Sequence, residues 1–328
     1  MIRSNSEPDP PRQKARIVVV GSLNADVTIR TQTLPRAGET VRGHGFQTFP
    51  GGKGANQAVA AALLGGDVVL IGAVGRDDHG ELLDNALDRA GVDRSGLFRS
   101  PNQATGMALI TVDDAGENTI VLASGANSVY LPEQARFVRA TVAAHSIVGL
   151  SLEIPLGMAA DAARFAQDAG ATVVLNLSPY TADIDEILLA TDVIVVNEHE
   201  AAELAREAGA AQQNFTRIRE KYGFAAVIVT RGSAGCSIYT HQAHVDIPAA
   251  AADAIDTTGC GDAFFGAMLV SLSDGKDFVE AASFAGRVAA FAAEGVGAQP
   301  SYPTPATLEK HQAARPDPLL LTSIQSEV

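Results

Sequence analysis

Short runs of consecutive aliphatic residues, each separated from the next by a helix-forming stretch, constrain this chain most. They fall at residues 15–21, 68–73, 146–150, 172–177, 193–196 and 226–230, with IVVV, VVLI, TVVL, VIVV and AVIV at their centres. A strand with one wet face alternates apolar and polar residues, whereas one covered on both faces reads as a continuous apolar run. An alanine-rich stretch at 56–64 and further stretches at 80–90, 155–169, 198–207, 214–222, 262–272 and 278–293 read as the intervening helices. Strand–helix alternation with buried strands predicts an α/β fold, a doubly wound and mostly parallel sheet with helices on both faces.

Two segments do not belong to that layer. Residues 26–50 and 104–125 show short alternating runs such as VTIRTQ and MALITV, interrupted by Pro35, Gly38 and a hairpin signal at 113–118. They read as exposed strands and predict a small β-sheet lid on a domain spanning 15–315. Residues 1–14 are polar and proline-rich, and both they and 316–328 read as flexible tails.

With 46% hydrophobic residues the chain builds a large core without disulfides, and its two cysteines, Cys236 and Cys260, form no CxxC pair. The seven histidines show no zinc spacing, and a reducing cytoplasmic setting follows. A net charge of −14 argues against nucleic acid or an anionic membrane as partner, and no apolar run reaches spanning length. An acidic chain binds a nucleotide only where a local loop concentrates positive potential.

The sharpest such segment is DTTGCGDAF at 256–264. Gly259 and Gly261 allow a ligand close to the backbone, and exposed amides at the start of the helix that follows form an anion site. A carboxylate there, Asp262, would repel phosphate unless it had a task, and removing a proton from an incoming hydroxyl is such a task. The competing reading is that Asp262 caps the helix. GGKGANQ at 51–57 is not a P-loop, because Gly54 stands where Ser or Thr should follow Lys53. Lys53 and Asn56 suit a polyol, although the segment also reads as a plain glycine turn.

GSLNAD at 21–26 sits at the carboxyl end of the first strand, where ligands bind in open α/β sheets. Asn24 and Asp26 suit a sugar diol or, more blandly, a turn. Asn197 and Glu200 follow a later strand and offer hard oxygen ligands for Mg²⁺ through water, or a helix start. TRGSAG at 230–235 either wraps a nucleotide or is a simple loop.

Taken in order, these segments resemble the phosphofructokinase-B-type carbohydrate kinases, with the ribokinase-like members nearest in pattern. PGGKGANQAVAA at 50–61, DTTGCGD at 256–262, GSLNAD, SGAN at 124–127 and GAQPS at 297–301 carry the resemblance, which spans about 15–303. It implies a Rossmann-like domain whose lid pairs with a second subunit's lid in a homodimer. The implied reaction is ATP-dependent phosphorylation of ribose at O5, with Asp262 as general base. Asn24, Asp26, Gly52, Lys53, Asn56 and Glu153 would contact the sugar. Amides of Gly259, Cys260 and Gly261 would hold the transferring phosphoryl group. Asn197, Thr230, Arg231, Gly232, Ser233, Ala234, Gly235 and Gly261 would hold ATP, with Glu200 acting on Mg²⁺ through water. The resemblance further implies a monovalent cation, K⁺, at Asp256, Thr258, Ala292, Gly295, Gly297 and Ser301.

The chain departs from that pattern at NLSP, 176–179, and at Gly286, both on the nucleotide side. Rival functions are a kinase for 2-deoxyribose, fructose or adenosine and a non-catalytic sugar sensor. A nicotinamide-linked dehydrogenase lacks its GxGxxG fingerprint here.

Overall fold

The computed structural model describes residues 14–210 and 214–314. The tail expectations for 1–13 and 316–328 lie outside the described residues; Lys14 is described, with its ammonium 3.1 Å from Asp274.

The chain enters through β1 (Ile17–Val20), leaves the main layer for β2 (Asn24–Thr31) and β3 (Gly43–Gly51), and returns through α1 (Lys53–Leu63). It continues through β4 (Val68–Val74), α2 (Asp78–Ala90) and β5 (Asp93–Arg99) before a second excursion, β6 (Gly106–Asp113) and β7 (Asn118–Ala123). After α3 (Pro132–Thr141) come β8 (Ile147–Ser151), α4 (Leu156–Ala169), β9 (Thr172–Asn176), α5 (Asp185–Leu189), β10 (Val193–Asn197), α6 (Glu198–Glu207) and α7 (Phe215–Tyr222). The last elements are β11 (Ala226–Thr230), β12 (Cys236–Thr240), β13 (His244–Ile247), α8 (Cys260–Ser273), α9 (Phe278–Ala293) and α10 (Pro305–Ala314).

The main sheet has nine strands in the order β13-β12-β11-β10-β9-β8-β1-β4-β5, all pairings being parallel except β11–β12 and β12–β13. From β1 the chain builds outward to β4 and β5 on one side, then restarts at β8 on the other. The carboxyl end of β1 is therefore the switch point, where a crevice opens between diverging connections.

Alternation within the strands divides the core. Ile17, Val19, Val193, Val195, Ala226 and Ile228 pack with α1, α2, α8 and α9, while Val18, Val20, Ile194, Val196, Val227 and Val229 pack with the helices of the opposite layer. Burial on both faces accounts for the unbroken apolar runs in the sequence.

The lid is a four-stranded sheet, β3-β2-β6-β7. β2 runs parallel to β6 from Asn24 to Thr31 and antiparallel to β3. Because β2 starts at Asn24, directly beyond the end of β1, the lid rises from the switch point itself.

Some elements escaped the sequence reading. β5, DRSGLFR, is the outer strand beside β4, and its half-wet surface leaves no continuous apolar run to detect. The β12–β13 hairpin closes the other edge with the antiparallel return that edge strands permit. Helix α8 begins at Cys260, two residues before the expected start, which makes Gly259 its cap.

Candidate active site

Asp262 lies in the first turn of α8 and is 8% exposed. The cap position belongs to Gly259, at φ 75°, and no side chain caps this helix. Both Asp262 oxygens instead accept from α1: Oδ2 from Asn56 Nδ2 at 3.0 Å and Oδ1 from Gln57 Nε2 at 3.0 Å. Close helix contact makes this reach possible, since a Cβ on Gly266 would lie 2.7 Å from the Gln57 carbonyl oxygen. Burial pushes the Asp262 pKa up; the Lys53 charge and the two amide bonds pull it back, and Glu153 adds to the rise.

The N–H groups of the turn differ. Cys260 N–H donates to the Thr257 carbonyl at 3.2 Å, so one of the three amides expected to face an anion has an internal partner. Gly261 is exposed, and a Cβ built on it meets no atom within 4 Å, so its backbone borders open space. Burial, followed by the charges of Asp256 and Asp262, raises the Cys260 thiol to about 11, which keeps it protonated at neutral pH.

At the switch point the polar residues converge on Glu153, which follows β8. Its Oε2 accepts from Ser22 Oγ at 2.6 Å, Asn24 Nδ2 at 3.4 Å and the Lys53 N–H at 3.5 Å. Asp26 stands beside them, and burial together with the charges of Glu153 and Asp262 raises its pKa to about 7. Gly52, at φ 87°, lets the lid-to-α1 turn pass over β2, where a Cβ would lie 2.5 Å from the Asn24 nitrogen. Asn24, Asp26, Gly52, Lys53, Asn56, Glu153 and Asp262 thus come together at the switch point. Asn56 differs from expectation in having two protein partners, because its Oδ1 also accepts from Gln299 Nε2 at 3.0 Å.

The residues expected to hold a nucleotide form a second group along the same sheet edge. Asn197 and Thr230 are register partners at the ends of β10 and β11. Asn197 and Glu200 form a reciprocal cap on α6: Asn197 N–H donates to Glu200 Oε2 and Glu200 N–H to Asn197 Oδ1, each at 2.9 Å. Arg231 is tied to Asp246 at 2.9 Å, and Gly232, Ser233 and Ala234 form a 3-10 turn ended by Gly235.

The six positions expected around a monovalent cation also meet. Asp256 Oδ2 accepts from Gly297 N–H at 2.8 Å and its Oδ1 from Thr258 N–H at 2.9 Å. Burial opposes ionisation of Asp256, but the bonds from Thr258 and Gly297 and the Arg30 charge outweigh it and hold the carboxyl below its usual range. Gly295 packs on Ser301, and its N–H donates to the Ala292 carbonyl at 3.1 Å. Among the described residues, no N–H is directed at the main-chain carbonyls of Asp256, Thr258, Gly295 or Gly297. Unmatched carbonyls beside an ionised carboxylate fit a hard monovalent cation.

The profile of the pfkB family carbohydrate kinases matches residues 14–305. This chain belongs to that family. The ribokinase of Haemophilus influenzae is 38% identical to it over 291 residues, covering 88% of this chain and 95% of the relative. The structure of Thermotoga maritima ribokinase superimposes with a TM-score of 0.82 at 30% identity, covering 91% of this chain and 99% of that one. The structure of Arabidopsis thaliana ribokinase complexed with ribose and ATP gives a TM-score of 0.80 at 32% identity, covering 91% and 98%. The chain is a ribokinase-like sugar kinase of the pfkB family. Among its described residues no helix is long and apolar enough to cross a membrane.

Sequence reasoning about this pfkB kinase missed four polar side chains at the site: Ser22, Gln57, Asn127 and Gln299. All four are buried. Each stands in a stretch that the resemblance singled out, and the available signal was a polar side chain where the surrounding pattern calls for an apolar one.

Proposed function

We propose that this kinase transfers the γ-phosphoryl group of ATP to O5 of D-ribose. The reading rests on one observation: a buried carboxylate, Asp262, shares a helix turn with the open backbone at Gly261, close to Lys53, Glu153 and Asp26.

In this reading Asn24, Asp26, Glu153 and Lys53 pair the secondary hydroxyls of ribose. The 5-hydroxyl then stands at Asp262, which accepts its proton as the oxygen attacks the γ-phosphorus. The Gly261 N–H, with that of Gly259, receives the charge that develops on the phosphoryl oxygens, the Cys260 N–H being engaged by the Thr257 carbonyl, and the bond to the bridging oxygen breaks to release ADP. Thr230 to Gly235 and Asn197 hold the nucleotide along the sheet edge. Asn197 and Glu200 would hold Mg²⁺, which would supply neutralisation of phosphate charge. One Glu200 oxygen is engaged in the α6 cap, so this residue suits contact with the metal's waters better than direct ligation. Asp256, Thr258, Ala292, Gly295, Gly297 and Ser301 would hold K⁺, fixing positive charge beside the anion site.

The lid supports a dimer. Ile120, Val121 and Leu122 on its edge strand β7 are 59%, 64% and 47% exposed, and a second lid would cover them. Sedimentation at micromolar concentration checks this, and a monomer would exclude it.

A coupled ADP assay with ribose, 2-deoxyribose, fructose and adenosine, in K⁺ and in Na⁺ buffers, tests the substrate. An unpaired buried polar group costs about 1–3 kcal/mol, so 2-deoxyribose should lose roughly 5- to 150-fold in kcat/KM. A higher kcat/KM for any of the other three than for ribose would overturn the assignment.

A further inference from the structure

We propose that Gln57 and Gln299 are positioning residues for phosphoryl transfer, Gln57 by bonding Asp262 directly and Gln299 by holding in place the Asn56 amide that bonds it. The proposal rests on the reading of Asp262 as the base.

Direction is what makes the chain of bonds informative. An ionised carboxylate only accepts hydrogen bonds, so the amino ends of Asn56 and Gln57 must point at Asp262. Asn56 Oδ1 then points the other way, and it accepts from the amino group of Gln299, which can only donate. Turning the Asn56 amide over would set oxygen against oxygen at Asp262, so the carboxylate dictates which way the Asn56 amide points. Gln299, with its amino group on Asn56 Oδ1, holds the Asn56 amide in that orientation across 243 residues of sequence.

Gln57 carries a different sign of function. It is fully buried, and its Oε1 has no hydrogen-bond partner. A buried acceptor left unmatched is costly, and an apolar side chain of similar size would avoid it. The amide at this position therefore serves its amino end, which bonds Asp262. Gln299 for its part belongs to the 3-10 turn Gln299–Ser301, next to the Gly297 whose N–H bonds Asp256. The conformation of the 295–301 loop thus reaches the base through two side chains.

Titratable groups facing Asp262 are Lys53, Asp26, Glu153, Cys260 and Tyr302, and none is altered by substitution at 57 or 299. The test compares Gln57→Leu, Gln299→Ala and Gln299→Glu by kcat, both KM values and the acid limb of the kcat–pH profile, with thermal unfolding alongside. Loss of one bond to the charged form should raise the apparent pKa of the acid limb by roughly one unit. Gln57→Leu and Gln299→Ala should lower kcat about tenfold, with both KM values within about twofold of the parent. Gln299→Glu accepts where Gln299 donated. It should turn Asn56 Oδ1 toward Asp262 and lower kcat about a hundredfold.

Wild-type kcat and acid limb in all three variants, loss of kcat without movement of the limb, or equal effects of Gln299→Ala and Gln299→Glu would each overturn the proposal. Asp262→Asn serves as the control. If that variant keeps normal turnover, the base assignment fails. If it is inactive while the glutamine variants behave as the parent, only the positioning role fails.

Discussion

Asn127 Nδ2 donates to Asn24 Oδ1 at 2.8 Å, joining the turn that follows the lid hairpin to the first residue of the lid's parallel strand. The same amide accepts from Leu23 N–H and donates to the Leu23 carbonyl, each at 2.9 Å. Asn127 is buried and stands in for a backbone segment that the chain does not supply at the start of β2. Its orientation leaves the Asn24 amino group to face Glu153.

Replacing Asn127 with Ala leaves the Leu23 groups unmatched in the interior. Each such group costs about 1–3 kcal/mol, so denaturant unfolding should show a stability loss in that range or above it. Asn24 is released at the same time, and the KM for sugar should rise while the KM for ATP stays close to that of the parent. Equal changes in both KM values would mean that the bond serves the fold in general and not the sugar cleft.

Asp262→Asn keeps the size of the side chain and removes its basicity. A general base contributes about 10²–10⁴ in rate, so kcat should fall by that factor. Calorimetric binding of sugar and of ATP should persist, because Lys53, Glu153 and the sheet-edge loops are untouched. Retained turnover within tenfold of the parent would remove Asp262 from the proton transfer.

How much of this was legible in the sequence depends on what each feature relies on. The doubly wound sheet was readable because burial on both faces writes itself as unbroken runs such as Val193–Asn197 and Ala226–Thr230. The lid was readable for the opposite reason, as its strands are wet and broken by turn residues. The edge strands were not, because β5 with Arg94 and Ser95 lacks either signature. At the site, residues beside glycine turns could be found by local chemistry. Gln57 and Gln299 show there only as polar residues in apolar surroundings, since the partners that give them meaning lie 205 and 243 residues away.

Asp26 gives a pH prediction with a definite sign. Its pKa is raised from 3.8 to about 7 by burial and by the neighbouring Glu153 and Asp262. Between those values the folded protein holds a proton that the unfolded chain has released, so rising pH drains stability across this window and levels off above it. Asp26→Asn removes the effect. Its Tm gain over the parent should be small near pH 4 and grow to several degrees by pH 8. A gain largest at low pH would contradict the burial of this carboxyl.

Gly259 and Gly261 separate the two demands made on the α8 turn. Gly259 sits at φ 75°, and a Cβ there would lie 2.5 Å from the Ala298 Cβ and 2.6 Å from the Tyr302 hydroxyl. Gly259→Ala should therefore cost stability outright, by about 1–3 kcal/mol from the positive φ and more from the contacts. Gly261 has no such constraint, and its added methyl would enter open space. Gly261→Ala should leave Tm unchanged or slightly raised, because Ala suits a helix better than Gly. The same methyl, however, would occupy the space where the γ-phosphate must approach the amides, and kcat should fall by about 10²–10³, the range for losing an oxyanion donor. A Gly261→Ala variant with intact Tm and intact kcat would show that the phosphoryl group lies elsewhere; a variant with intact Tm and collapsed kcat would assign this turn to the chemistry without any contribution from unfolding.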